Sequence, residues 1–310
     1  MNTTYVSIDW GGTHLSGVVL NENKIVKEFE LSSCNLKLGT DENLLNICKS
    51  ILKEISSNDY SSLTFLIGAA GVSNDKTADR LIKSFYSLIP SIKEVLVYPD
   101  FLCNHAAFLN GEDGILSING TGSILFGVKG EKQIRLGGWG YLFDETPSGA
   151  YFGKKYLEAV LKGMEGSTDH KYFLSDYISK YNFIEREELL NQIYFSTSIQ
   201  NYMGNYAKDL IFAYDANVPY AKTVIDESVE KLAKSISEMI NTLELKNPKF
   251  CGSGGLWSNW KKLKELLNVS CEKQGVQLIW QITNHSLCLG PLLYYSRSHD
   301  DVLDMIKHLP

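Results

Sequence analysis

Long apolar runs are missing from this 310-residue chain, and the N-terminal Met1-Asn2-Thr3-Thr4-Tyr5-Val6-Ser7-Ile8-Asp9 carries no basic segment leading into an apolar one. Neither a membrane span nor a secretory leader is therefore expected, and the protein is expected to be cytoplasmic. Basic clusters are missing too. Thirty Lys and Arg stand against 36 Asp and Glu, a net charge of −6, which disfavours nucleic acid or an anionic membrane surface as the partner. The six cysteines, at 34, 48, 103, 251, 271 and 288, include no Cys-x-x-Cys pair. A zinc site or a disulfide framework is not indicated, and most of these residues read as small, reduced core side chains. There is no Walker lysine motif and no kinase-type glycine-rich loop with its lysine. No low-complexity linker interrupts the chain, and no helix-turn-helix precedes residue 5, so a DNA-binding sensor is not expected.

What the chain does have is glycine in particular places. Residues 114–128 alternate apolar positions on both sides of Asn119-Gly120-Thr121-Gly122-Ser123, a β-hairpin pattern whose turn exposes backbone N–H groups able to cradle an anion. The same pattern opens the chain, where Tyr5-Val6-Ser7-Ile8-Asp9 runs into Trp10-Gly11-Gly12-Thr13-His14 and leaves as Leu15-Ser16-Gly17-Val18-Val19-Leu20. Gly137-Gly138-Trp139-Gly140 follows the second hairpin, and Cys251-Gly252-Ser253-Gly254-Gly255-Leu256 stands between a strand pattern and a helix pattern. A single Gly-x-Gly in a hairpin is ordinary turn chemistry. Four glycine-rich turns at strand ends exceed what a structural fold requires, and two like hairpins one domain length apart suggest a duplicated architecture.

With 44% hydrophobic and 21% charged residues, the chain is an ordinary globular protein long enough for about two domains. Strands are expected at 25–29, 63–67, 94–98, 249–250 and 276–280. Helices are expected near 40–55, 78–88, 101–109, 151–163, 171–180, 186–193, 199–214 and 220–243, with a last amphipathic one carrying Val302, Met305 and Ile306. Strand 63–67 ends in Gly68-Ala69-Ala70-Gly71, small residues that permit close approach of a ligand or of a helix. Asp100 follows strand 94–98 at its carboxyl end, where open α/β sheets place ligands. Its other reading is the N-cap of the next helix.

These residues resemble the N-acetylglucosamine kinase family, the BadF/BadG/BcrA/BcrD group of the sugar kinase, Hsp70 and actin superfamily, over nearly the whole chain. Residues 9–13 look like the first phosphate loop, Asp-Gly-Gly-Gly-Thr, with Trp10 in place of a glycine. Residues 120–123 look like the second phosphate loop and 252–255 like the adenosine loop. Residues 137–151 are similar to Gly-Gly-Trp-Gly-x-x-x-Gly-Asp-Glu-Gly-Ser-x-x-Trp, but the glycine before Asp144 is missing and Thr146-Pro147 is inserted. The resemblance implies an α/β, two-lobed actin-like ATPase (ribonuclease H-like) fold, duplicated, with lobes at 1–113 and 114–310, the last helix packing back on the first lobe and the nucleotide in the interlobe cleft.

It also implies an ATP-dependent amino-sugar kinase, using Mg²⁺ and acting on the 6-hydroxyl of N-acetylglucosamine, N-acetylmuramic acid or glucosamine, as a homodimer in cell-wall recycling. Gly11, Gly12, Thr13, Thr121 and Gly122 would approach the phosphates, Gly254 and Gly255 the adenosine, and Asp9 the metal. Asn35, Gly71, Asn119, Asp144 and Glu145 would face the sugar, and Asp100 would accept the hydroxyl proton. The alternative within the superfamily is an ATPase activase of a 2-hydroxyacyl-CoA dehydratase, with an iron–sulfur cluster; it needs cysteines in glycine-rich contexts, and Cys251 alone stands in one.

Overall fold

Strand β1 (Thr4–Trp10) sends alternate side chains to opposite faces of its sheet. Val6, Ile8 and Trp10 enter one core with Phe65, Ile67 and Phe85, whereas Tyr5 enters another with Leu20 and Leu66. The computed structural model describes residues 3–21, 24–34, 36, 39–55, 62–72, 75–143, 147–182, 185–282, 285–300, 302 and 306. It divides into two compact units, residues 1–113 with 281–310, and residues 114–280.

In the first unit, β1, β2 (His14–Asn21) and β3 (Lys24–Ser32) form an antiparallel meander. The chain continues through α1 (Asp41–Ile55), β4 (Leu63–Ala69), α2 (Asp75–Leu88), β5 (Glu94–Pro99) and α3 (Asp100–Phe108). The sheet order is β3-β2-β1-β4-β5, with β1/β4 and β4/β5 parallel. Every residue of β4 is buried, as expected of a parallel strand covered on both faces.

In the second unit, β6 (Gly114–Asn119), β7 (Ser123–Lys129) and β8 (Lys132–Gly137) form the same meander. Helices α4 (Gly149–Met164), α5 (Lys171–Tyr181), α6 (Arg186–Tyr194), α7 (Ile199–Gly204), α8 (Ala207–Asp215) and α9 (Pro219–Leu243) follow. Then come β9 (Lys249–Ser253), α10 (Gly255–Asn259), α11 (Lys262–Lys273) and β10 (Ile279–Trp280). Read from β8, the order β8-β7-β6-β9-β10 repeats the first sheet with the same strand directions. The duplicated α/β fold of the actin-like ATPases is therefore present in both units. They differ in what is inserted after the third strand, among the described residues one α-helix in the first and six in the second.

Two local expectations change. The helix expected over 199–214 is two helices, because Tyr206 turns its N–H to the Met203 carbonyl and stacks on Tyr156, with ring centroids 6.0 Å apart. The strand expected over 276–280 is only Ile279–Trp280, because the Val276 N–H closes the end of α11 on the Cys271 carbonyl at 2.9 Å.

The chain then returns to the first unit from residue 281 onward, more than the last helix alone. Leu289, Leu292 and Leu293, around α12 (Gly290–Tyr295), are buried with Tyr5, Val18 and Leu66. Val302 and Ile306 join that cluster, while Met305 lies outside the described residues. Gly290 lets α12 meet α3 closely, since a Cβ there would sit 2.4 Å from the Cys103 carbonyl oxygen. No helix among the described residues is long and apolar enough to cross a membrane.

The first turn of a helix leaves its N–H groups without intrahelical acceptors. In α12 the Leu292 N–H is taken instead by the hydroxyl of buried Ser7 on β1, at 3.2 Å. Ser7→Ala strands that amide in an apolar cluster. It is expected to cost about 1–3 kcal/mol, read as a lower urea midpoint at unchanged slope.

Candidate active site

The β1–β2 turn is built so that its carbonyls are used while the two amides at its tip are not. Gly11 donates to the His14 carbonyl at 2.9 Å, so closely that a Cβ on Gly11 would meet that oxygen at 2.7 Å. The Gly11 carbonyl accepts from the Ser33 hydroxyl, and the Thr13 carbonyl from the Ser33 N–H at 3.0 Å. Among the described residues nothing accepts from the N–H groups of Gly12 and Thr13. A Cβ on Gly12 would meet no atom within 4 Å. Trp10 is fully buried and donates its indole N–H to the Cys34 carbonyl at 3.0 Å.

Asp9 lies at the end of β1, paired across to Ser16 and Gly68. Burial pushes its carboxyl up to about 6, the neighbouring Asp100 carboxylate adds to the rise, and His14 opposes it. A carboxylate whose ionisation is made costly by a neighbouring carboxylate can take up a hard cation, which accepts oxygen ligands and cancels the repulsion. Asp100 is the first residue of α3. The N-cap position belongs to Pro99, and the Asp100 Oδ1 accepts the N–H of Phe101 at 2.8 Å. Below them Cys103 is buried, its thiol pushed well above the ordinary range by desolvation and then by Asp9 and Asp100. Gly71 follows β4 with φ of +85°, a conformation that favours glycine.

The β6–β7 turn repeats the arrangement with different donors. The Gly120 carbonyl accepts the Gly149 N–H at 2.7 Å and the Thr121 carbonyl the Ala150 N–H at 3.0 Å, both from the start of α4. The N–H groups of Thr121 and Gly122 have no acceptor among the described residues, and a Cβ on Gly120 would point into open space. Gly254, at φ of +97°, lies against this turn. A Cβ there would come within 2.7 Å of the Asn119 carbonyl oxygen. Beside it, Gly255 opens α10 with no atom nearer than 3.7 Å to an added Cβ.

Asn119 itself is fully buried. Its Oδ1 accepts from the Ser117 hydroxyl and the Trp257 indole, each at 2.6 Å. Its Nδ2 donates to the Ser123 hydroxyl at 3.0 Å and the Pro147 carbonyl at 2.7 Å. Two acceptor and two donor positions are all an amide has, so the sugar contact expected of Asn119 has no hydrogen-bonding position left to it. The residue braces the turn.

Ser33, Ser148 and Trp257 were not singled out from the sequence, though each fixes a turn. Only Ser148 left a signal, a serine just ahead of a helix pattern, and its hydroxyl caps α4 by accepting the Tyr151 N–H. Asn35, Asp144 and Glu145 lie outside the described residues. Cys251 is buried with its thiol pushed up to about 11 by desolvation, the reverse of what a cluster-binding thiolate requires. No three His, Cys, Asp or Glu side chains converge among the described residues.

The sequence pattern of the BadF/BadG/BcrA/BcrD ATPase family matches residues 6–286. The chain belongs to this family. An N-acetylmuramic acid/N-acetylglucosamine kinase from Clostridium acetobutylicum is 25% identical over 282 residues, 86% of this chain and 91% of that protein. A glucosamine kinase from Vibrio cholerae is 27% identical over 172 residues, 54% of this chain and 57% of that one. A Porphyromonas gingivalis structure, provisionally described as an N-acetylglucosamine kinase, superposes with a TM-score of 0.65 at 19% identity, covering 96% of this chain and 99% of its own. Membership of an ATPase family agrees with ATP as the nucleotide expected of the two turns.

The surroundings of the glycines separate folding from ligand approach. Gly12→Ala and Gly120→Ala add a methyl group to open space and should fold with near-native melting temperatures. Each should nevertheless weaken ATP binding at least about ten-fold by calorimetric titration, because close backbone approach to the phosphates is lost. Gly254→Ala drives a Cβ into the Asn119 carbonyl and should lower the melting temperature itself.

Proposed function

We propose that this BadF/BadG/BcrA/BcrD family member is an ATP-dependent amino-sugar kinase. It transfers the γ-phosphoryl group to the 6-hydroxyl of N-acetylglucosamine or a close relative such as N-acetylmuramic acid or glucosamine. The observation that carries the reading is a turn with unused amides in each unit, the first unit also bringing Asp9 and Asp100 into electrostatic contact. The names of the Clostridium and Vibrio relatives support the substrate class.

In this mechanism the amides of Gly12, Thr13, Thr121 and Gly122 hold phosphate oxygens, and the hydroxyls of Thr13 and Thr121 add donors. Gly254 and Gly255 border the adenosine. Asp9 would hold Mg²⁺, which would supply the positive charge that a Walker lysine would otherwise bring. The acceptor sugar presents several hydroxyls, so it needs converging polar groups. Asn35, Gly71, Asp144 and Glu145 are proposed for that side, with Asn119 as their neighbour's brace rather than a direct contact.

Asp100 orients the 6-hydroxyl and receives its proton. In a loose transition state the proton leaves late, so a carboxylate of ordinary basicity suffices and positioning does most of the work. The same reading makes the protein a cytoplasmic homodimer in the re-use of cell-wall amino sugars. The family resemblance supports that setting, and the name of the Clostridium relative bears on the sugar alone.

Initial rates with ATP across the three amino sugars test the substrate class. Asp100→Asn keeps the side chain's size and its acceptor for the Phe101 N–H but removes the base. Its kcat should fall about 10²–10⁴-fold with the KM for ATP little changed. A near-native rate would remove Asp100 from the chemistry.

A further inference from the structure

The segment joining β3 to α1 is fastened at every described point. On one side Trp10 holds the Cys34 carbonyl at 3.0 Å, and Ser33 reaches back to the carbonyls of Gly11 and Thr13 in the β1–β2 turn. Between them Leu36 is buried in the first unit's core. On the other side one guanidinium does the holding. Arg80 of α2 donates from Nη1 to the Leu36 carbonyl at 3.1 Å and from Nη2 to the Gly39 carbonyl at 2.9 Å. Its Nε and Nη2 also reach the Asp41 Oδ1 at 2.9 and 2.8 Å.

An exposed ion pair contributes little, and Asp41 is exposed. The two bonds to backbone carbonyls are different in kind, because they fix the path of the chain. Arginine's planar fork suits that task and a lysine's point charge does not. A connection that merely links a strand to a helix has no need of such fastening. A segment that must present side chains to a polar ligand does, since displacements of an ångström cost affinity and rate. The anchoring at Gly11 and Thr13 also joins this segment to the turn proposed to hold phosphate. Trp10, at the position where the family's phosphate loop has glycine, supplies one of those joints.

We propose that Arg80, acting with Trp10, is a positioning residue for acceptor recognition. It sets the course of the chain at Leu36, Gly39 and Asp41, and through this segment the affinity for the sugar, without contacting sugar or nucleotide. The inference rests on the reading that this segment, through Asn35, faces the acceptor.

The test combines steady-state kinetics with amide hydrogen exchange on Arg80→Gln, Arg80→Lys and Trp10→Phe in the full chain. In Arg80→Gln the KM for the amino sugar should rise about ten-fold or more, while kcat and the KM for ATP stay within about two-fold. Arg80→Lys should recover only part of the loss, and Trp10→Phe should shift the sugar KM in the same direction. Exchange should quicken over residues 33–41 and stay unchanged in the β6–β7 turn. An unchanged sugar KM in an active protein, or a parallel loss of kcat and both affinities with a lower melting temperature, overturns the proposal. A wild-type protein that phosphorylates no amino sugar refutes the proposed function separately. Exchange then still decides, because unchanged protection over 33–41 in Arg80→Gln refutes positioning and faster exchange supports it. Should Arg80→Gln fail to fold, the other two variants carry the same readouts.

Discussion

The use of turn carbonyls by the protein, which leaves two amides over at the tip of each turn, is the constraint on which the rest depends. A buried or ligand-facing backbone must satisfy each donor and acceptor. At both hairpins the carbonyls are taken by a neighbouring element, Ser33 in the first unit and the opening of α4 in the second. The amides of residues 12, 13, 121 and 122 are then the groups without a protein partner among the described residues. Amides presented in this way can hold an anion without a lysine to attract it. Glycine at Gly11 and Gly254 allows the close contacts that hold this geometry, while Gly12 and Gly120 keep the space beside it clear.

The two sheets repeat one topology but solve the bracing problem differently. In the first unit the brace comes from the segment after β3, fixed by Trp10 and Arg80. In the second, an inserted helix supplies amides directly, and Asn119 with Trp257 and Ser117 locks the base of the turn. Duplication therefore preserved the strand order and the presented amides, not the residues that orient them. The charge at the end of β1 fits the same picture. Ionised Asp9 carries an energetic cost through burial and Asp100, a cost that a bound cation would relieve.

Much of the fold was legible from local pattern. Alternation around Gly11-Gly12 and around Gly120-Thr121-Gly122 marked both hairpins, and the strand ahead of Asp100 put that carboxylate at a sheet's carboxyl end. What was not legible depends on partners far apart in the chain. Asn119 reads as a sugar ligand in a list of polar residues, and only the placement of Trp257, Ser117 and Pro147 shows its four bonds used internally. Arg80 sits in an unremarkable helix pattern, and nothing local tells that its fork reaches residues 36, 39 and 41. The split between α7 and α8 and the short β10 arise where one turn's hydrogen bond outcompetes a periodic pattern.

The central claim, phosphoryl transfer from ATP to the 6-hydroxyl of an amino sugar, is tested most directly by ³¹P NMR of the protein incubated with ATP, Mg²⁺ and N-acetylglucosamine. The account predicts ADP and a sugar monophosphate in equal amounts, with the new phosphorus coupled to the two protons on C6. ADP without any sugar phosphate, or a phosphorus coupled to the single anomeric proton, would contradict it.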